Sequence, residues 1–114
     1  MIQARSKSFG HALAGLRTLV LEQTNARIHA VATLVVIVAG LTLELTPLEW
    51  IAITVCVAMV WCAEAMNTAI EYVCDLVEPE QHPLVRRAKD VAAGGVLVCA
   101  IAAVVVALLI LLNH

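Results

Sequence analysis

Four polar residues recur at helical spacing inside an otherwise apolar stretch of the chain. Glu64, Asn67, Glu71 and Asp75 are separated by three, four and four residues, which places all four on one face of a single helix. Residues 48–77 contain neither proline nor glycine, so one continuous helix is allowed here. Because ionisable side chains in membrane-length apolar segments usually mark a site with a partner, this face predicts a functional site.

The position of these residues along the helix places them at one edge of a membrane. Counted from Leu48 at 1.5 Å per residue, Glu64 lies roughly 24 Å along the helix. That is just inside the far boundary of a hydrocarbon core about 30 Å thick. Glu71 lies at roughly 34 Å, in the interface with water. The carboxylates are therefore expected where the membrane meets the cytoplasm.

The segment that follows adds positive charge to the same edge. It contains Arg86, Arg87 and Lys89, with Asp90 next to them. Carboxylates beside cations suit a divalent metal ion that carries a polyphosphate. A carboxylate at the membrane edge, such as Glu64, can also accept a proton from a lipid hydroxyl. The residues alone therefore favour phosphoryl transfer onto a membrane-dissolved alcohol.

Two other interpretations use the same residues differently. A small proton or cation transporter would place a carboxylate such as Glu64 inside a helix bundle, but it gives Lys89 and Asp90 no role. A purely structural interpretation makes Glu64 and Asn67 hydrogen-bond partners between helices. The sequence contains no G-x-x-x-x-G-K-[ST] motif, which excludes a Walker-type ATPase.

The composition sets the class of protein. Of the 114 residues, 62% are hydrophobic and 14% are charged, whereas soluble domains are about half apolar and a quarter charged. An ordinary soluble enzyme and a disordered chain are therefore both excluded. A net charge of −2 and an aromatic content of 4% argue against a nucleic-acid partner. The four cysteines have no C-x-x-C spacing and are interpreted as small apolar residues.

The elements that must position the polar face are three apolar spans, at about 28–45, 48–77 and 88–112. An apolar run of about 20 residues crosses a bilayer. Before them, Phe9, Leu13 and Leu16 recur at helical spacing, which predicts an amphipathic helix at about 5–25 on the membrane surface. The sequence thus predicts one all-α integral membrane domain over residues 1–114.

The basic residues predict the orientation of these spans. All seven Lys and Arg residues lie before the first span, between the second and third spans, or in the first residues of the third span. The positive-inside rule therefore places the N-terminus and the 78–90 loop in the cytoplasm, and the C-terminus outside. His29, at the start of the first span, is interpreted as an interface residue or a contact to a lipid headgroup.

Two motifs carry a resemblance to a known family. EAMNTAIEYVCD at 64–75 and HPLVRRAKDVAAGGVL at 82–97 resemble the prokaryotic diacylglycerol kinase family, which includes the undecaprenol kinases. Further matches are KSFGHALAGLR at 7–17, NARIH at 25–29 and LELTPLEW at 43–50, so the resemblance covers nearly the whole chain. It is stronger to the undecaprenol kinase branch than to the branch specialised for diacylglycerol.

The resemblance implies an ATP-dependent lipid kinase that phosphorylates the primary hydroxyl of undecaprenol, with diacylglycerol as the alternative substrate. It implies a magnesium ion and a homotrimer in the bacterial plasma membrane, with active sites shared between neighbouring subunits. Glu64 stands at the position of the general base, and Asn67 belongs to the same catalytic motif. The lipid would reach Glu64 beside Ala93, through a lateral groove between the surface helix and the second span.

The resemblance also implies the nucleotide site. Glu71 stands where the family binds the metal ion that bridges the ATP phosphates, and Lys89 is expected nearest those phosphates. The other residues expected to contact ATP are Asp75, Glu80, Gln81, His82, Asp90 and, on the surface helix, His11.

One position departs from the family pattern. The family has a second metal-binding glutamate two residues before the Asn of NARIH, and this chain has Gln23 there, with Glu22 one residue earlier. A shift of one residue turns a helical side chain by about 100°. Either local unwinding brings Glu22 into the metal shell, or Gln23 binds the metal more weakly as a neutral oxygen ligand.

Overall fold

The computed structural model describes residues 2–77 and 82–114, and these form four helices. They are α1 (Ile2–Glu22), α2 (Thr24–Leu43), α3 (Pro47–Val77) and α4 (Pro83–Leu112). The helices α2, α3 and α4 are each long and apolar enough to cross a membrane. The prediction of an all-α chain with three apolar spans is confirmed at this level, and the chain is a multi-pass membrane protein.

The helices begin and end where the sequence supplies local signals. Gln23 has an extended backbone (φ −109°, ψ 119°) and separates α1 from α2. Between α2 and α3, Glu44 takes a left-handed conformation (φ 54°), a common way to end a helix. Thr46 and Glu49 then hydrogen-bond each other's backbone N–H groups, at 3.2 and 3.0 Å. This reciprocal capping box begins α3.

The start of α4 uses His82 as its cap. The backbone N–H of Leu84 donates to His82 Nδ1 at 3.1 Å, and Pro83 occupies the first turn, where its missing N–H costs nothing. The side chain of His82 therefore satisfies one of the orphan donors at the start of this helix.

The helix α3 is the centre of the molecule. It packs along α4 in antiparallel orientation and also touches α1 and α2. At the far end of the bundle, Gly40 lies directly against Trp50. The few buried apolar side chains are Leu19, Ala26, Ile53 and Val60 among the described residues. The packing around α3 thus surrounds the polar face without making a large core.

Candidate active site

Glu64 is the most deeply buried ionisable side chain of the described residues, with 1% of its surface exposed. It lies on α3, facing α2. Its Oε2 atom has no hydrogen-bond partner among the described residues, and His29 Nε2 lies 3.6 Å away. Burial of an incompletely paired carboxylate is costly. A stable fold retains such a group where it has chemistry to perform.

Asn67 joins Glu64 to the next acidic residue on the same face. Its side chain is 6% exposed, and its Nδ2 atom donates to Glu71 Oε1 at 3.3 Å. The Oδ1 atom of Asn67 is buried without a partner among the described residues, as is the Oγ1 atom of Thr68. Glu64, Asn67 and Glu71 therefore form a continuous polar line that runs from the interior towards the end of α3.

A pocket of about 270 Å³ opens beside this line. Glu64 and Asn67 contribute to it from α3, Asn25 and His29 from α2, and Ala93 from α4 together with further apolar side chains. A lipid hydroxyl in this pocket would meet the carboxylate. Ala93 and Glu64, the two residues expected to contact lipid, line the same cavity.

The position of this pocket differs from the groove that the sequence predicted between the surface helix and the second span. A groove of about 360 Å³ does lie between α1 and α3, but Thr68 and Tyr72 line it and Glu64 does not. The reason is the rotation of α3: α1 packs on the face that carries Thr68 and Tyr72, and the start of α2 packs beside Glu64. The groove expected between α1 and α3 stays a prediction, and among the described residues Glu64 lines the other pocket.

The end of α1 approaches α3 through a tyrosine. Tyr72 Oη donates to Glu22 Oε2 at 2.7 Å, and Gln23 lies near the same hydroxyl. The helix breaks at Gln23, so Glu22 is free to turn towards α3. Glu22 therefore contacts the residue that follows Glu71 on α3, and both alternatives drawn from the sequence stay predictions.

The charged ends of α3 and α4 face each other. Lys89 Nζ donates to Asp75 Oδ1 at 2.7 Å, and Arg86 pairs with Asp90 at 3.5 Å along one face of α4. Because Lys89 is 35% exposed and Asp75 63% exposed, this group of charges is open to solvent. It lies where a soluble anion has access.

The remaining residues expected at the nucleotide are placed separately. His82 caps α4. His11 is exposed on α1, eleven residues before Glu22 and therefore about 16 Å along the helix from it. Glu80 and Gln81 lie outside the described residues. Within residues 2–77 and 82–114, no three His, Cys, Asp or Glu side chains cluster closely enough to hold a metal ion.

Two contacts at the site could not be read from the sequence. Tyr72 follows Glu71 directly, but nothing in its spacing predicts a bond to Glu22, fifty residues earlier. Trp61 donates from Nε1 to Thr33 Oγ1 at 3.0 Å, across 28 residues of sequence. Both contacts join different helices, so only the packing of those helices shows them.

Comparison with known proteins identifies the class to which this site belongs. The profile of the prokaryotic diacylglycerol kinase family matches residues 10–111. The undecaprenol kinase of Bacillus subtilis is 39% identical over 106 residues, which are 93% of this chain and 86% of that protein. The diacylglycerol kinase of Escherichia coli (strain K12) is 32% identical over 108 residues, covering 95% of this chain and 88% of that protein.

A further relative is the diacylglycerol kinase of Synechocystis, 44% identical over 102 residues, which are 87% of this chain and 57% of that protein. The chain therefore belongs to the prokaryotic diacylglycerol kinase family. Membership confirms the prediction of a lipid kinase, and a kinase of this family uses ATP.

Proposed function

We propose that this chain transfers the terminal phosphoryl group of ATP to the primary hydroxyl of undecaprenol, with Glu64 as the general base. The observation that carries the proposal is the buried Glu64 carboxylate, which lines a pocket walled on one side by apolar residues of α4. A lipid can keep its chain in the bilayer and present its hydroxyl to such a pocket. A buried carboxylate in hydrogen-bond reach of that hydroxyl is suited to accept its proton.

In the proposed reaction, the hydroxyl oxygen forms a bond to the terminal phosphorus of ATP while its proton passes to Glu64. The bond between that phosphorus and the bridging oxygen breaks, and ADP leaves with the electron pair. The Asn67–Glu71 hydrogen bond holds the line of polar groups between the base and the nucleotide. Most of the rate gain is expected from positioning and fixed charge, since phosphoryl transfer needs little covalent help from the protein.

We propose that a magnesium ion binds at the junction of α1 and α3, where the side chains supply oxygen donors. The carboxylates of Glu71 and Glu22 and the amide oxygen of Gln23 are the hard oxygen ligands that Mg²⁺ prefers. We propose Glu71 as the main ligand and Glu22, directed by Tyr72, as the second, with Gln23 as a weaker neutral ligand. When bound, Mg²⁺ supplies positive charge to the phosphate oxygens.

The nucleotide would lie against the charged ends of α3 and α4. We propose that Lys89 exchanges its bond to Asp75 for a bond to the phosphates of ATP. An ammonium group binds a polyphosphate strongly because the two carry opposite charges. Asp75 and Asp90 then lie next to the nucleotide. The other residues assigned to ATP in this proposal are Glu80, Gln81, His82 and His11.

The identity of the alcohol is proposed from the relatives. Undecaprenol is favoured because the Bacillus subtilis relative that carries this name matches 93% of this chain and 86% of its own length. Diacylglycerol is the second candidate, since the Escherichia coli and Synechocystis relatives are named diacylglycerol kinases. Both alcohols present a primary hydroxyl at headgroup level, so the same base serves either one.

The proposed arrangement in the membrane follows from charge and apolar surface. We place the N-terminus and the end of α3 in the cytoplasm, α1 on the membrane surface and the C-terminus outside the bacterial plasma membrane. The exposure of Phe9 and Leu13 on α1, at 73% and 66%, supports contact with lipid or with a neighbouring chain. We propose a homotrimer in which neighbouring chains complete the active sites.

Transfer of labelled phosphate from ATP in mixed micelles tests the proposal. Undecaprenol and diacylglycerol are offered separately, with Glu64→Gln as the inactive control. Clearly more efficient transfer to undecaprenol is the expected result. A preference for diacylglycerol selects the second candidate with the same mechanism. Folded protein that transfers phosphate to neither alcohol, with ample Mg²⁺, contradicts the proposed function.

A further inference from the structure

The register between α2 and α3 is set by a contact one helical turn from the proposed base. Trp61 Nε1 donates to Thr33 Oγ1 at 3.0 Å, and Thr33 Oγ1 donates to the backbone oxygen of His29 at 2.7 Å. The two helices run antiparallel, so the residue one turn before Thr33 lies opposite the residue one turn after Trp61. Those two residues are His29 and Glu64.

The atoms that this register brings together are an imidazole nitrogen and a buried carboxylate oxygen. His29 Nε2 lies 3.6 Å from Glu64 Oε2, which lacks a hydrogen-bond partner in the described parts of the chain. The usual N–H···O distance is about 2.7–3.2 Å, so a movement of roughly half an ångström makes the bond. A buried oxygen without a partner provides the driving force for it.

The surroundings single out this pair. Among the residues that line the pocket, His29 and Glu64 are the two with titratable side chains, and α4 contributes apolar groups such as Ala93 and Leu97. The side chain of His29 is 18% exposed and that of Glu64 is 1% exposed. His29 is therefore the more accessible member of a pair whose other member is buried.

We infer that His29 is a positioning residue for the general base. Its Nε2–H group donates to Glu64 Oε2, satisfies that oxygen, and leaves Oε1 directed towards the lipid hydroxyl. The inference rests on the proposed function, because it concerns the base of that reaction. Under this inference, His29 takes part in the chemistry of the site in addition to its position at the membrane interface.

Kinetics of two variants with different side chains test the role. His29→Leu removes the donor and fills the site, and kcat is expected to fall about 10- to 100-fold because a misplaced base loses that much. The KM for ATP is expected to stay within about twofold, since the nucleotide lies elsewhere. His29→Gln places an amide N–H near the position of Nε2, and kcat is expected to recover to within about fivefold of the original.

The control is the same substitution at the opposite end of the molecule. His114 contacts Glu49, far from the pocket along α3, and His114→Leu is expected to keep the original kcat. All proteins are measured as full chains in the same mixed micelles with undecaprenol.

Chemical labelling gives a readout that does not depend on turnover. Dicyclohexylcarbodiimide reacts with carboxyl groups in apolar surroundings, and a hydrogen bond donated to a carboxylate oxygen makes that oxygen a weaker nucleophile towards the reagent. Mass spectrometry of the peptide that contains Glu64 is expected to show faster labelling in His29→Leu than in the unchanged chain or in His29→Gln. Glu64→Gln provides the blank.

The outcomes separate the two ideas. Unchanged kcat in His29→Leu overturns the inference. An equal loss of kcat in His29→Leu and His29→Gln, with unchanged labelling of Glu64, also overturns it, because equal losses indicate damage to the structure. An unchanged chain that phosphorylates neither alcohol overturns the proposed function instead. The labelling comparison then still decides whether His29 contacts Glu64.

Discussion

At the scale of single residues, the proposed chemistry depends on a carboxylate that the fold removes from water. Glu64 is 1% exposed and lies beside His29 and Asn67 in one pocket. In such a place, an ionised group interacts strongly with its neighbours because little water screens it. The same burial that makes Glu64 costly to the fold suits it to the proposed role of general base.

Replacement of this carboxylate by an amide of the same shape is the most direct test of its role. Glu64→Gln is expected to lower kcat by about 100-fold or more, as the loss of a general base does. Binding of ATP is expected to persist, because Glu71 and Lys89 are unchanged. The measurements are phosphate transfer in mixed micelles and equilibrium binding of a labelled nucleotide.

The matched control is Glu44→Gln, the same change in the turn between α2 and α3. It is expected to leave turnover intact. Near-normal turnover in Glu64→Gln would remove the assignment of the base.

A second prediction at this scale concerns the shifted glutamate. Tyr72 directs Glu22 towards α3. Glu22→Gln and Glu71→Gln are therefore both expected to raise the Mg²⁺ concentration for half-maximal activity several-fold. Loss of one charged ligand weakens the free energy of Mg²⁺ binding by about 1 kcal/mol or more. Gln23→Ala is expected to raise it less. Titration of activity with MgCl2 at saturating lipid gives the three values, and a larger effect from Gln23→Ala would reverse the assignment.

At the scale of elements, one close approach fixes how α2 meets α3 at the end opposite the site. A Cβ atom on Gly40 would lie 2.7 Å from Trp50 Cη2 and 3.0 Å from Leu45 Cδ1. The glycine therefore lets the indole ring lie directly on the backbone of α2. Together with the Trp61–Thr33 bond, this contact holds the two helices in register at both ends.

Gly40→Ala tests this contact. The added methyl group is expected to destabilise the fold by about 1–3 kcal/mol, as overpacking of a close contact does. Thermal unfolding in detergent, followed by tryptophan fluorescence and circular dichroism, measures the change.

The matched control is Gly10→Ala on α1. A Cβ atom there meets no heavy atom within 4 Å, and alanine is favoured over glycine in a helix by up to about 1 kcal/mol. Equal melting temperatures for the two variants would show that Trp50 moves aside at little cost.

At the scale of the whole molecule, the chain exposes a large apolar surface, as a membrane-spanning protein does. Large side chains such as Leu41, Leu97 and Leu108 are more than half exposed. Between α3 and α4 a groove of about 740 Å³ is lined by apolar residues, including Val73 and Val91. The helices therefore suit a lipid environment and an assembly of several copies.

The orientation of the chain is open to direct measurement. His114 Nε2 lies 2.8 Å from Glu49 Oε2, so the C-terminus and the turn before α3 lie at one end of the bundle. The native cysteines are first replaced by alanine, and a single cysteine is then introduced at Lys7 or at Asn113. Intact cells that carry either variant are treated with an impermeant maleimide. Because basic residues stay inside, Asn113→Cys is expected to react, and Lys7→Cys only after permeabilisation.

The assembly state is tested by mass. Light scattering of the detergent-solubilised protein is expected to give a protein mass three times that of the 12.2 kDa chain. A single-chain mass with full activity would contradict the proposal that neighbouring chains complete the active sites.

The sequence by itself determined that the chain has three membrane-length apolar helices, and it predicts which residues carry the chemistry. Apolar length predicts the spans, because backbone groups in lipid must be satisfied within a helix. The spacing of Glu64, Asn67 and Glu71 follows from the helical repeat alone, and the Asn67–Glu71 bond is a local contact of that repeat. The motifs of the two polar segments were enough to identify the family.

The tertiary structure alone decided which helix faces each residue of that polar line. The rotation of α3 places Glu64 against His29 of α2, and it turns Tyr72 towards Glu22 at the end of α1. The same rotation makes Glu64 line a pocket bounded by α2 and α4, and not the groove between α1 and α3. These contacts join residues far apart in the chain, and their geometry depends on side-chain packing between helices, which the pattern along one helix does not encode.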